Sequence, residues 1–408
     1  MRDQVETVQP KPVAADQRVV TLDVLRGAAV LGILAVNAAF FSLPLEALDM
    51  APEQSPFPAV PGASGVAQWV VDVFFTQKFV TLFSMLFGVS IFLVGGERGD
   101  EAKGRVLRRR LMFLALFGLI HGAAFWYGDI LLLYAWSGLF VMLMRSMSAK
   151  SLIWIGAGAT VFLATLQAAF VLAMVHFREV MAGLNESVSD TAVADAIAAY
   201  QSGWAGAMLQ NLKAWGFATT ASLLMYVFSI VPLMMLGMGL FKAGFFHGRV
   251  PTWIYLALIA GGATVLTLLG VLQWRELQVG PVAEGTGGWA AVAESYPLII
   301  TLAYASALIL ATTRGVGWLR KALAPVGRMA FTNYLTQTLI MTTIFYMPWG
   351  PRLFGQVDYP MQWAIVVGVW ALQLIWSPLW LSKFTMGPLE WLWRRLSYGR
   401  GLPLRRTA

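Results

Sequence analysis

The chain has 408 residues, 58% of them hydrophobic and 12% charged, and its net charge is +8. A soluble protein carries about 25% charged residues, so a water-soluble globule is excluded; apolar stretches of roughly 20 residues recur, each able to span about 30 Å of hydrocarbon. With no Cys, a disulfide framework and a thiolate nucleophile are excluded as well, and three His argue against a multi-histidine metal centre.

Residues 1–17 are polar and read as a cytoplasmic tail. The first apolar stretch begins at Val19 and has no cleavage-site pattern at its end, so it is expected to remain as a span. Ten spans are expected, at about 19–43, 69–94, 107–126, 129–146, 151–175, 215–241, 252–273, 293–312, 323–346 and 362–382. The fold expected is therefore all-α: a polytopic integral membrane helix bundle, one domain over 18–386, with a basic cytoplasmic tail at 387–408. The fourth stretch is short and follows a tight turn at Trp126–Asp129, so a re-entrant element is the alternative there. The sixth contains Pro232 and is expected to kink. Of the longer outer loops, 44–68 is acidic and Pro-rich. Residues 192–212 suit an amphipathic helix lying on the membrane. The loop 274–292 is Gly-rich.

Lys and Arg divide 23 to 4 between alternate loops. By the positive-inside rule both termini face the cytoplasm. The basic balance is then a topology signal and not a nucleic-acid footprint.

Ionisable groups inside hydrocarbon are costly and call for an explanation. Asp23 and Arg26 are spaced to pair on one helical face, and Arg26, Val30, Ile33 and Asn37 continue that stripe. A structural pair at the interface and a functional one are both open. Asp72 and Lys78 lie six apart on different helical faces, so they are not expected to pair with each other; pairing with other helices and anchoring at the outer interface are both open for them. His121 lies 11 residues beyond Arg110, about 16 Å along a helix and near mid-membrane. Gly118 and Gly122 allow close helix approach. Asp129, just past the turn, can fold back on the imidazole, fixing its tautomer and raising its basicity. That is the equipment of a general base, although a lone intramembrane His also serves packing. His176 and His247 read as interfacial. Asn333 and Gln337 share one face of the ninth stretch and either bond a neighbouring helix or line a polar cavity.

These segments resemble a known family. Residues 18–27 with Gly32 and Asn37, 82–88, Gly118 and His121 with 126–134, 325–334, and 387–394 with 398–400 together resemble the YeiB-like family of bacterial membrane proteins, with its C-terminal family region at about 230–400. That family looks related to a wider group of transmembrane acyltransferases, including the lysosomal heparan N-acetyltransferase. The resemblance implies acyl transfer from cytosolic acyl-CoA to an acceptor across the membrane. His121 would act as base or acyl relay with Asp129 orienting it, and Asp23, Arg26, Asn37, Tyr134, Asn333 and Gln337 would meet substrate. Asn37 would face the carbonyl oxygen as charge develops. Arg105, Arg108, Arg109 and Arg110 suit the coenzyme's phosphates, although basic residues beside a membrane also serve topology and anionic lipid. The implied partners are membrane lipid and an envelope glycan or lipid-linked acceptor, in a bacterial inner membrane, with homo-oligomerisation open. A small-molecule or lipid transporter and a non-catalytic envelope assembly protein are the competing readings.

Overall fold

A computed structural model describes residues 19–47, 62–177, 190–279, 288–399 and 403–406. The tail 1–17, most of the Pro-rich loop and Gly285 and Gly287 lie outside them. The described residues are helical almost throughout, with one isolated antiparallel bridge between Phe384 and Arg405. In chain order the helices are α1 (Val20–Ser42), α2 (Ala63–Phe74), α3 (Lys78–Gly95), α4 (Glu101–Ala124), α5 (Leu131–Met144), α6 (Ala149–His176), α7 (Asp190–Gln201), α8 (Trp204–Ala221), α9 (Val227–Lys242), α10 (Thr252–Val279), α11 (Trp289–Glu294), α12 (Pro297–Thr313), α13 (Gly317–Arg328), α14 (Ala330–Phe345), α15 (Tyr359–Lys383) and α16 (Pro388–Tyr398).

Among the described residues, six helical stretches are long and apolar enough to cross a bilayer unaided: Val20–Ser42, Ala63–Gly95, Ala149–Met174, Trp204–Lys242, Thr252–Gln278 and Tyr359–Lys383. The protein is a multi-pass membrane helix bundle. Each of the other four expected spans also holds helix, but none meets that requirement alone. The first half of α4 is charged, α5 and α14 are short, and α12 forms with α13 a pair bent by 118°. The apolar run at 323–346 is not one helix, because the chain turns at Met329 between α13 and α14.

Residues 69–94 break as well. Gln77 adopts a left-handed conformation (φ 65°) between α2 and α3. That turn brings Lys78 back onto the end of α2, although, as expected, its ammonium forms no ion pair with the Asp72 carboxylate. Lys78 is 1% exposed, not an interfacial anchor, and its Nζ donates to the backbone carbonyl of Asp72 at 2.6 Å. A cation here meets the negative end of α2.

Residues 192–212 do not form one helix either. The chain turns at Gly203 (φ 126°), and α8 runs on through a π-turn at Ser222–Tyr226 into α9. The irregularity in this long span falls at that π-turn, ahead of Pro232.

Packing separates a centre from a rim. The apolar window of α1 is 61% buried and that of α6 only 11%, so α1 lies inside the bundle and α6 at its rim. Trp154, Phe162, Phe217 and Phe228 are exposed on that outer surface. In water such a surface would aggregate; in a bilayer it costs nothing. Gly88 of α3 and Gly237 of α9 bring two backbones together, each glycine facing the other helix's main chain at Met234 and Met85.

The absence of Cys allows a clean test of orientation with single cysteines. Trp318→Cys should react with a membrane-impermeant thiol reagent only from the cytoplasmic side, and Trp204→Cys only from outside. The reverse pattern would overturn the orientation read from charge.

Candidate functional site

The site is built on α1, α3, α4, α5, α14 and α16. At the end of α4 the chain turns through Phe125–Ile130, and Asp129 becomes the cap of α5. Its carboxylate accepts from the backbone N–H of Leu131 (3.2 Å) and of Leu132 (2.8 Å). Gly118 faces Leu132 and the Asp129 carboxylate, so a side chain there would push the turn away. This packing delivers Asp129 Oδ1 to within 2.8 Å of His121 Nδ1. His121 Nε2 lies 2.9 Å from the Thr338 hydroxyl of α14. Asp129 already accepts from two amides, so in a neutral imidazole Nδ1 donates to it and Nε2 is left to accept. The fold-back of Asp129 on His121 is as the sequence suggests. Nothing in the sequence pairs α4 with α14, so Thr338 carries no signal of this contact there.

His121 is 3% exposed. Its ring lies 5.4 Å from that of Tyr334 and 6.2 Å from that of Trp126. Beyond Tyr334 a cavity of about 260 Å³ opens toward the basic face. Its mouth carries Asp23, Arg26, Lys103, Arg110, Glu390 and Arg394. Val30, Ile33, Leu86, Phe87 and Leu114 make apolar walls, and Ile130, Tyr134 and Tyr334 form the floor against the histidine. Arg26 is held at the mouth by Asp23 (3.3 Å) and Ser90 (3.0 Å). The Tyr134 hydroxyl bonds Ser84 at 2.8 Å.

The expected stripe on α1 lines this cavity through Arg26, Val30 and Ile33, but the cavity ends before Asn37. Asn333 and Gln337 are placed elsewhere. Asn333 Nδ2 donates to Val326 O (3.0 Å) and Ser377 Oγ (3.1 Å), and its Oδ1 accepts from Trp376 (2.9 Å). Gln337 Nε2 donates to Val30 O (3.2 Å) and Gln373 Oε1 (2.9 Å). Both amides tie helices together. Of the four arginines expected at a phosphate, only Arg110 lines the cavity. Arg105, Arg108 and Arg109 are exposed, and Arg109 donates to Leu396 O at 3.0 Å. Helical periodicity is the reason. Consecutive residues point about 100° apart, so the cavity face of α4 is Lys103, Arg110 and Leu114, spaced by seven and four.

The segment expected as a basic tail forms α16 and closes the mouth. Pro388 opens this helix, as its fixed φ favours. Arg110 stacks over Trp393 at 3.9 Å, and the Trp393 indole donates to Arg110 O at 2.9 Å. The Glu390 carboxylate caps α14, accepting from the Phe331 amide (2.8 Å), the Thr332 amide (3.1 Å) and the Thr332 hydroxyl (2.5 Å). Burial pushes the Glu390 carboxyl above its ordinary range, and the bonds from Thr332 and Phe331 partly restrain it. In an unfolded chain it would titrate near ~4.3. Its contribution to docking is therefore complete below that pH and falls as pH rises through the higher folded value. Glu390→Gln should remove this pH dependence from the thermal midpoint; an unchanged pH profile would count against it.

The comparisons agree with the sequence motifs. Residues 238–400 match a family described as "Protein of unknown function (DUF418)". The chain is 32% identical over 400 residues to "Uncharacterized protein YeiB" of Escherichia coli (strain K12), covering 93% of this chain and 96% of that one. It is 31% identical over 413 residues to "Uncharacterized protein YxaH" of Bacillus subtilis (strain 168), covering 95% and 96%. No solved structure matches the chain.

Proposed function

This chain belongs to the YeiB-like family, and we propose that it is a transmembrane acyltransferase, passing an acyl group from cytosolic acyl-CoA to an acceptor on the outer side. One observation carries this reading: an apolar cavity with a cationic mouth ends on a tyrosine floor whose far side touches the Asp129–His121 pair.

Each part has a chemical use. Guanidinium groups at Arg26, Arg110 and Arg394 suit a phosphate-bearing molecule, and the walls suit an acyl chain. Small-molecule sites run to about 300–1,000 Å³, so a cavity of about 260 Å³ takes the thioester end of the donor. The nucleotide end would rest outside on the basic face. His121 would take a proton from the attacking hydroxyl or amine, and Asp129 would stabilise the resulting imidazolium, the roles these groups play in other acyl transfers. The acceptor would be an envelope glycan or lipid-linked molecule, and the site of action the bacterial cytoplasmic membrane.

Protein reconstituted in liposomes with radiolabelled acyl-CoA inside and cell-envelope glycans outside provides the test. Label should reach the glycan only with protein present. Arg110→Ala should raise the donor KM about tenfold, the worth of one charge-assisted contact, with kcat little changed. Movement of intact labelled lipid between leaflets without acyl transfer would favour a transporter instead.

A further inference from the structure

Hydroxyl-bearing side chains in apolar helices ordinarily donate to the carbonyl one turn back. Thr160, Thr165, Thr264 and Thr267 all do so. So does Thr336, two residues from Thr338, which donates to Thr332 O at 2.7 Å. Thr338 does not. Its hydroxyl is 2.9 Å from His121 Nε2, and the side chain is buried. With Nδ1 donating to Asp129, the Thr338 hydroxyl is the donor to Nε2. A carboxylate, an imidazole and a hydroxyl are thus joined in line, an arrangement recognised by geometry and not by sequence order.

Resting on the acyl-transfer reading above, we infer that Thr338 is a nucleophile and that transfer passes through an acyl-threonine ester. In the first half-reaction Thr338 Oγ attacks the thioester carbonyl carbon while His121 Nε2 takes the hydroxyl proton. A C–O bond forms, the C–S bond breaks, and the thiolate leaves with that proton as the free thiol. In the second half-reaction the acceptor hydroxyl attacks the ester carbonyl and gives its proton to His121. The bond to Thr338 breaks, and Oγ recovers the proton. No oxidant, reductant or metal is needed for the balance.

Tyr334 controls the approach. It stands one turn before Thr338 on α14 and forms part of the cavity floor. Its hydroxyl makes a long 3.4 Å contact to Gly128 O and a contact to the Ile130 backbone, both of which rotation would break. Rotation of that side chain would join the cavity to the His121–Thr338 pair. The inference also answers the lack of Cys: the covalent carrier is an oxygen instead of a sulfur.

The experiment uses the full-length purified protein with radiolabelled acetyl-CoA, and p-nitrophenyl acetate as an activated donor, without acceptor. Acid quench and peptide mass spectrometry should place one acetyl group on Thr338, released by alkaline hydroxylamine. Thr338→Ser should keep adduct and transfer. Thr338→Val, matched in shape, should lose the adduct and roughly a thousandfold or more of transfer, with donor binding retained as its folding control. Initial rates with both substrates should give parallel double-reciprocal lines. Wild type that transfers but carries no adduct, or Thr338→Val transferring at the wild-type rate, overturns the nucleophile while leaving acyl transfer standing. Wild type that neither transfers nor becomes labelled removes both.

Discussion

His121→Gln should lower acyl transfer by roughly 10²–10⁴-fold, the usual contribution of a positioned acid–base group, while the donor still binds. Separation of these two effects follows from the layout. Guanidinium groups sit at the cavity mouth on α1, α4 and α16, whereas the imidazole lies behind the tyrosine floor. Loss should therefore fall on kcat and leave the donor KM near its wild-type value. Asp129→Ala should behave differently. Its carboxylate also caps α5 through the Leu131 and Leu132 amides, and losing such a cap costs about 1 kcal/mol. That variant should lose transfer and also melt earlier. Steady-state kinetics beside a melting curve distinguish the two; His121→Gln with wild-type kcat would remove histidine from the chemistry.

Gly88→Leu should prevent accumulation of folded protein. At Gly88 a side chain would strike the main chain of Met234, and at Gly237 that of Met85. Overpacking a core commonly costs 1–3 kcal/mol where side chains can shift. Here the obstacle is backbone inside a helix, so α3 and α9 would have to separate. The α3–α9 contact supports the cavity wall, since Leu86, Phe87 and Ser90 all come from α3. Gly88→Ala should already lower the melting temperature. Gly158→Ala is the control, because an added Cβ there meets open space and alanine is the better helix former by about 1 kcal/mol. Detergent-solubilised yield and melting by size-exclusion fluorescence decide the matter; a stable, monodisperse Gly88→Leu protein would refute the packing account.

Local features of the site were legible in the sequence, and long-range ones were not. The Asp23–Arg26 pair follows from helical spacing alone. The approach of Asp129 to His121 follows from a short turn and two glycines. An anchoring role for Lys78 assumes an unbroken helix; Gln77 breaks it and turns the ammonium inward onto the Asp72 backbone carbonyl, not the carboxylate. Asn333 and Gln337 are polar for a structural reason: an amide inside a bundle must spend its hydrogen bonds, and α1, α13 and α15 supply the partners. The arginine run on α4 suggested a phosphate site by its charge, but a helix turns all but Arg110 away from the cavity. Thr338 and Glu390 were out of reach, each depending on a partner far along the chain. A membrane bundle hides such pairings well, because most of its surface is apolar on every side and the helical period marks no single core face.

In the proposed reaction an acyl donor enters from the basic face and ends at the histidine. A structure of the full-length protein in lipid nanodiscs with a non-hydrolysable acyl-CoA analogue tests this most directly. The acyl end is expected between Val30, Ile33 and Phe87, the phosphates against Arg26, Arg110 and Arg394, and the carbonyl carbon beside His121 and Thr338 with Tyr334 rotated aside. Donor density bound only on the outer face, or absent from this cavity at saturating analogue, would contradict it.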